Sequence, residues 1–190
     1  MDKLQEINKE AAINASNALS KLIDRQVSVG ICKAEIKKVA ELSPLIDIEE
    51  IVAGIYLPVK GAVIGAALLI FPKETAFTLS DLLVRREPGT TRKLTELDKS
   101  ALKETGNIIC GTYFAVLANT LQIKLIEQVP NFSFDMFGAI ITQIITEFAQ
   151  NAEEALVIEL EFLFKPATLK GYLLLLLNVD EFRSIVGGAL

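Results

Sequence analysis

From Asp2 to about Asp24, apolar residues recur at Leu4, Ile7, Ala11, Ala15, Ala18, Leu19 and Leu22, with no Gly or Pro between them. That spacing lines one side of a helix, so the pattern predicts a long amphipathic helix. The period then changes. Val27 to Lys37 reads as a strand, the Ser-Pro pair near 41–46 as a short helix or turn, and 50–59 and 62–71 as two further strands. Pro72 can open the next helix, because its missing N–H costs nothing at a helix start. Arg85 to Lys93, RREPGTTRK, is polar and contains Pro and Gly, which makes it the one good linker candidate.

Beyond the linker the same order returns. A long helix is predicted over 96–121, a strand over Ile123–Val129 ending at Pro130, a helix over 134–150, strands near 154–164 and 168–178, and a short final helix over Val179–Val186. Sliding the first helix forward by 98 positions pairs Asp2 with Ser100, Glu6 with Glu104, Leu19 with Leu117 and Val27 with Leu125. Further on, GAALLIF at 65–71 parallels GYLLLLL at 171–177, at a slightly different offset. This reads as a tandem duplication: one domain over 1–190, made of repeats of about 1–84 and 95–190 joined by a polar linker at 85–94. The expected fold class is α+β, with two halves about a pseudo-two-fold axis, a shared β-sheet and two long helices.

Two strands locate the sheet's interior. GAVIGAALLIF is apolar on both faces and is expected to be central, with Gly65 marking a close backbone approach. ALVIELEFLF alternates, with Ile158, Leu160, Phe162 and Phe164 facing one way and Glu159 and Glu161 the other, so one of its faces should be wet.

Composition narrows the function. With 24 acidic against 19 basic residues, a formal charge of −5 and no His or Trp, the chain offers no basic stripe for nucleic acid and few rings to stack on bases. The lack of His removes the commonest general base and transition-metal ligand, leaving carboxylates, amides, hydroxyls and amines for any chemistry. Cys32 and Cys110 lie 78 residues apart, without metal-binding or redox spacing, and are expected to be buried free thiols in a reducing cytosol. The N-terminal stretch lacks the apolar core of a signal peptide, and the longest apolar runs are too short to span a bilayer. A cytoplasmic protein without membrane insertion is expected.

The chemistry concentrates in ETGNIICGTYF, residues 104–114, inside the second long helix. Thr105, Gly106 and Asn107 are poor helix formers that together cost on the order of 2 kcal/mol against Ala, so something other than helix stability must explain them. Ser100, Glu104, Asn107 and Gly111 follow i, i+4, i+7, i+11 spacing and form a polar stripe that tapers to no side chain.

Ser100-x3-Glu104-x2-Asn107-x22-Pro130 resembles the signature of the CheC/CheX/FliY family of chemotaxis phosphatases, and the helix text EINKEAAINASNALSKL and strand text GIYLPVKGAVIGAALLIFP are similar to CheC. The resemblance implies hydrolysis of the aspartyl phosphate on the response regulator CheY. Asn107 would hold water in line with phosphorus without repelling the phosphoryl oxygens, as an Asp would. Glu104 would pair with a lysine of the regulator. Ser100 and Pro130 complete the motif, no cofactor is implied on this chain, and the Mg²⁺ would belong to the regulator. The first helix keeps acids at Asp2 and Glu6, but Lys9 stands at the Asn position and Cys32 at the Pro position. An ammonium has no acceptor with which to orient a nucleophilic water, so this first site is expected to be inactive.

Plainer readings stand beside these. Glu104 can be a solvated carboxylate, Ser100 an early-helix residue without chemistry, and Pro130 a strand terminator. Asn107 can satisfy buried backbone groups at a helix crossing, and Gly106 and Gly111 can allow tight packing between the long helices as readily as partner access. Glu6 and Lys9 read as a surface ion pair, and Cys110 as core. The helix over 134–150, bearing Asp135, Gln143 and Glu147 with Asn151 at its end, is amphipathic core packing on its own pattern; the resemblance adds CheD as a candidate partner for it. A non-enzymatic adaptor that binds CheD or a flagellar-motor component is the alternative function.

Overall fold

The computed structural model describes residues 2–42, 46–148, 154–164 and 167–177. Four helices and seven strands follow one another as α1 (Asp2–Ile23), β1 (Ser28–Lys38), β2 (Ile51–Gly61), β3 (Gly65–Pro72), α2 (Lys73–Leu83), α3 (Glu96–Leu121), β4 (Leu125–Glu127), β5 (Asn131–Met136), α4 (Phe137–Phe148), β6 (Glu154–Phe164) and β7 (Ala167–Leu177). A short 3₁₀ turn over Val39–Glu41 takes up the start of the segment expected as a helix or turn, whose residues 43–45 lie outside the described ones. The final helix expected over Val179–Val186 also lies outside them, as does Asn151.

All strands join one antiparallel sheet in the order β1-β6-β7-β3-β2-β4, with β5 also pairing β2. The fold is therefore α+β, and its order reads alike from either end. β3 and β7 pair at the centre, each is flanked by its hairpin partner, β2 or β6, and each side closes with strands from the other half of the chain, β4 and β5 beside β2 and β1 beside β6. The central crossing repeats in detail. A Cβ on Gly65 would lie 2.1 Å from the Leu176 carbonyl oxygen, and one on Gly171 would lie 3.0 Å from that of Ile70. These are corresponding contacts at the GAALLIF and GYLLLLL offset.

Alternation along β3 explains why it is apolar on both sides. Ala67, Leu69 and Phe71 enter the core under α1, α2 and α3, while Ala66, Leu68 and Ile70 enter a second core under α4. In β6, Ile158, Leu160, Phe162 and Phe164 are all buried in the first core, and Glu159 and Glu161 stay half-exposed on the other face, as their alternation requires. The edge strand β1 is stitched to α1, where the Ser16 hydroxyl accepts from the Val29 N–H at 2.8 Å and the Ser20 hydroxyl from the Val27 N–H at 2.9 Å. Two otherwise open edge donors are thereby satisfied.

One strand departs from expectation. Asn131–Met136 is β5, and α4 begins only at Phe137, so the helix expected from 134 starts three residues later. The text NFSFDM alternates, with Phe132 and Phe134 half-buried against the first core and Phe134 stacked on Phe77 at 6.0 Å. Period-two burial wins over the helical run that follows it.

The polar linker expected at 85–94 lies in a loop, residues 84–95, that wraps two fully buried carboxylates. Asp81 accepts from the N–H groups of Gly89, Thr90 and Thr91 at 2.9, 2.9 and 3.2 Å, and from the Thr90 and Thr91 hydroxyls. Asp98 accepts from the Ser80 hydroxyl at 2.6 Å and the Thr95 N–H at 2.7 Å, and pairs with Arg86. Thr95 and Asp98 also form a capping box that satisfies the first donors of α3. Burial alone would raise the pKa of both carboxyls. The hydrogen bonds outweigh it, holding Asp81 below its ordinary value and Asp98 down at about 2.

Candidate functional site

The capped, clamped start of α3 fixes the direction of its outward stripe. Leu102, Ile109, Cys110, Phe114 and Leu117 of α3 are buried, whereas Ser100 and Glu104 are exposed and Asn107 and Gly111 half-buried. The poor helix formers at the centre now separate by role. Thr105 is buried and its hydroxyl donates to the Ala101 carbonyl at 3.1 Å, the local bond by which a mid-helix Thr is accommodated. Gly106 clears strand β2: a Cβ there would sit 2.4 Å from a methyl of Ile55. The close approach of Gly106 is thus to the sheet, not to the other long helix.

Asn107 remains. Its side chain makes no hydrogen bond to any described residue, and the Glu104 carboxylate makes neither a hydrogen bond nor an ion pair among them. Asn107 does not satisfy backbone groups at a helix crossing. The buried amide between the long helices is Asn8 of α1, whose amide oxygen accepts from the Tyr113 side-chain hydroxyl at 2.7 Å. An amide with both donor and acceptor unspent therefore stands one turn from an unspent carboxylate.

Ser100 and Pro130 come together across a groove of about 550 Å³ between α3 and β5, lined also by Lys99, Lys103, Phe132 and Phe134. Glu104 and Asn107 continue the stripe along α3 beyond it. At the far end, Gly111 leaves room for the Glu127 carboxylate, which would lie 3.1 Å from a Cβ at that position and whose pKa is raised by burial. The sequence reading missed both Lys103 and Glu127. Lys103, four residues before Asn107, could have been found from helical spacing, whereas Glu127 arrives from β4 and left no local signal.

The first-helix counterparts fall in an equivalent place. Lys9 and Cys32 are exposed and line a groove of about 870 Å³ between α1 and the edge strand β1. Glu6 is exposed on the same helix, and Asp2 lies in its first turn with its side chain outside the described ones. Two expectations fail here. Glu6 and Lys9 make no ion pair among the described residues, because both are exposed and water competes for each charge. Cys32 is not buried: as part of an edge strand it faces the groove, and its thiol pKa is raised, first by partial burial and then by Glu161 and Glu159. Cys110 is core, its thiol pushed up to about 12 mainly by burial.

Among the described residues there is no cluster of three His, Cys, Asp or Glu placed to hold a metal, and no helix is long and apolar enough to cross a membrane.

No protein-family model matches the chain. It is 28% identical over 190 residues to the CheY-P phosphatase CheC of Bacillus subtilis, covering 97% of this chain and 91% of that protein. Among solved structures it resembles FliY of Thermotoga maritima, with a TM-score of 0.80 at 19% identity over 98% of this chain and 93% of that one. FliM from the FliG–FliM complex of H. pylori superposes with a TM-score of 0.72 at 13% identity, covering 96% of both chains. A CheX–CheY–BeF₃–Mg²⁺ complex from Borrelia burgdorferi matches with a TM-score of 0.55 at 17% identity, over 90% of this chain and 97% of that one. These last three likenesses concern the fold, and the first concerns the sequence along nearly its whole length. In sequence the chain is thus similar to a CheC protein over nearly its whole length, and its fold is of the CheC/CheX/FliY type.

Proposed function

We propose that the protein accelerates hydrolysis of the aspartyl phosphate of a chemotaxis response regulator of the CheY kind, through one working site on α3. The observation that carries this reading is the Asn107 amide, half-buried, beside Glu104, and without a partner among the described residues. In the reaction, water attacks phosphorus and the bond to the aspartyl oxygen breaks, releasing a carboxylate that needs no proton. Positioning is the main demand. The Asn107 oxygen accepts from the attacking water and aligns it, and the neutral amide does not repel the phosphoryl oxygens. Glu104 engages a cationic side chain of the regulator and so sets α3 beside the phosphorylated residue. The 28% identity to a CheY-P phosphatase supports the substrate class.

Mg²⁺ fits the regulator better than this chain. The stripe supplies one carboxylate, and the buried Asp81 and Asp98 are consumed by their own loop. The complex of CheX with CheY, BeF₃ and Mg²⁺ is consistent with a metal on the regulator's side. Lys9 leaves the α1 site without a water-orienting group, so that site is inactive in this reading. The chain is then a single domain of two repeats, about 1–84 and 95–190, acting in the cytoplasm where its regulator is phosphorylated.

A phosphate-release assay with cognate phosphorylated regulator tests the proposal. Hydrolysis above the regulator's own rate, lost in Asn107→Ala, is the expected result; a folded Asn107→Ala with unchanged hydrolysis overturns it. The second reading is an adaptor that binds CheD or a flagellar-motor component, favoured by the disabled α1 motif and by the shared fold of a FliM domain held by FliG. Basal rates with and without CheD would decide for it.

A further inference from the structure

The α3–β5 groove contains a cation that the motif does not include. Of its two lysines, Lys99 is bound to Glu96 at 2.7 Å. Lys103 is half-buried at the groove wall and makes no ion pair with any described residue. It lies three residues after Ser100 and four before Asn107, so its side chain and the Asn107 amide occupy adjacent turns of one face, about 6 Å apart along α3. Around it the groove offers the Ser100 and Ser133 hydroxyls and the rings of Phe132 and Phe134. The equivalent position in α1, by the same offset of 98 that pairs Lys9 with Asn107, is Gln5, which lines the α1–β1 groove. The two helices thus carry an amide and an ammonium in exchanged order: Gln5 then Lys9 in α1, Lys103 then Asn107 in α3.

We propose that Lys103 contacts the anionic pole of the partner at the phosphorylation site, so that the α3 groove discriminates a phosphorylated regulator from an unphosphorylated one. This rests on the phosphatase reading and adds its specificity determinant. An aspartyl phosphate is a dianion held near further carboxylates, and the chain meeting it has a formal charge of −5. Negative charge that the regulator's Mg²⁺ leaves unbalanced repels an acidic surface on approach. An unpaired ammonium one turn from the water-orienting amide offsets that repulsion where the phosphoryl group arrives, and its effect falls on encounter and residence more than on bond breaking.

The test is binding of the full-length protein to regulator loaded with beryllofluoride and Mg²⁺, a stable stand-in for the phosphorylated form, by calorimetry at low and high salt. Lys103→Met is expected to weaken binding roughly five-fold at low salt and to flatten its salt dependence, with Lys103→Arg close to wild type and Lys103→Glu weaker than Met. Binding of unloaded regulator should change little, which separates contact with the phosphoryl position from contact with the regulator's general surface. Equal affinities of wild type, Lys103→Met and Lys103→Glu for the loaded regulator would overturn the proposal. Hydrolysis by Asn107→Ala is measured in parallel, so failure of the catalytic reading shows in turnover and failure of the Lys103 assignment shows in affinity.

Discussion

The α1 and α3 grooves share their architecture and differ in their chemistry. Each lies between a long helix and an edge strand, and the helix bordering each carries a carboxylate, Glu6 or Glu104, three residues before the motif's Asn position. At that position one helix has Lys9 and the other Asn107. A lysine can attract an anion but has no lone pair to offer a water, whereas an amide has both a donor and an acceptor. In the proposed reading the side chains support one site and not the other. The difference then lies in a single functional group on two similar helices, and the fold alone predicts nothing about it.

The comparison breaks first at Asn107. Asn107→Ala is expected to lower stimulated hydrolysis by about a hundredfold or more, the scale on which a lost transition-state contact is felt, while Lys9→Ala leaves it unchanged. Because Asn107 makes no hydrogen bond to a described residue, circular dichroism and melting temperature should barely move.

Next in size is the foundation of α3, which α1 does not share. Asp98→Asn should cost about 3 kcal/mol by removing the charge that pairs with Arg86 and turning one of the two acceptor oxygens facing Ser80, Arg86 and the Thr95 cap into a donor, measured by urea unfolding. The pH dependence has a definite sign. The Asp98 carboxyl lies at about 2 when folded, below its ordinary value near 3.8, so its contribution is complete above the unfolded value and is lost as pH falls from about 4 through 2. Stability of the wild type should fall across that window, and Asp98→Asn should show a shallower fall.

Glu104→Gln should raise KM about ten-fold with a smaller change in kcat, since the carboxylate acts in docking rather than at phosphorus. An equal loss in kcat would place Glu104 in the transition state instead. The smallest expected effect is the repair of α1. Lys9→Asn combined with Cys32→Pro should raise the rate by less than a doubling, the ceiling for adding one equal site. A full doubling by Lys9→Asn alone would show that one substitution disabled it.

Much of this was legible in the sequence because the elements advertise themselves through period. The long helices, the doubly buried β3 and the half-wet β6 could be read from spacing alone, since their burial is set by regular geometry. β5 was not, because six alternating residues sit against a strongly helical run and the boundary is decided by where Phe132 and Phe134 find the core. The polar linker expected at 85–94 does lie in a loop between α2 and α3, but its hydrogen bonding was not legible. Two carboxylates arriving from α2 and α3 turn its backbone and hydroxyl groups into hydrogen-bond partners. Of the candidate site, Ser100, Glu104, Asn107 and Pro130 came from the motif. The reason Gly106 must be glycine lay in Ile55, about fifty residues away in the chain.

That loop also determines how the two halves can be separated. By sequence, RREPGTTRK is the obvious place for trypsin to cut, with four basic residues in a polar run. A protease needs several residues drawn out into an extended strand, yet the N–H groups of Gly89, Thr90 and Thr91 are all tied to Asp81 and Arg86 is tied to Asp98. Nicking at Arg86 is therefore expected to need release of these carboxylate contacts, whereas Arg92 and Lys93 stay exposed. A stretch that reads as an open connector is thus expected to be cut slowly at Arg86 for as long as Asp81 and Asp98 hold it.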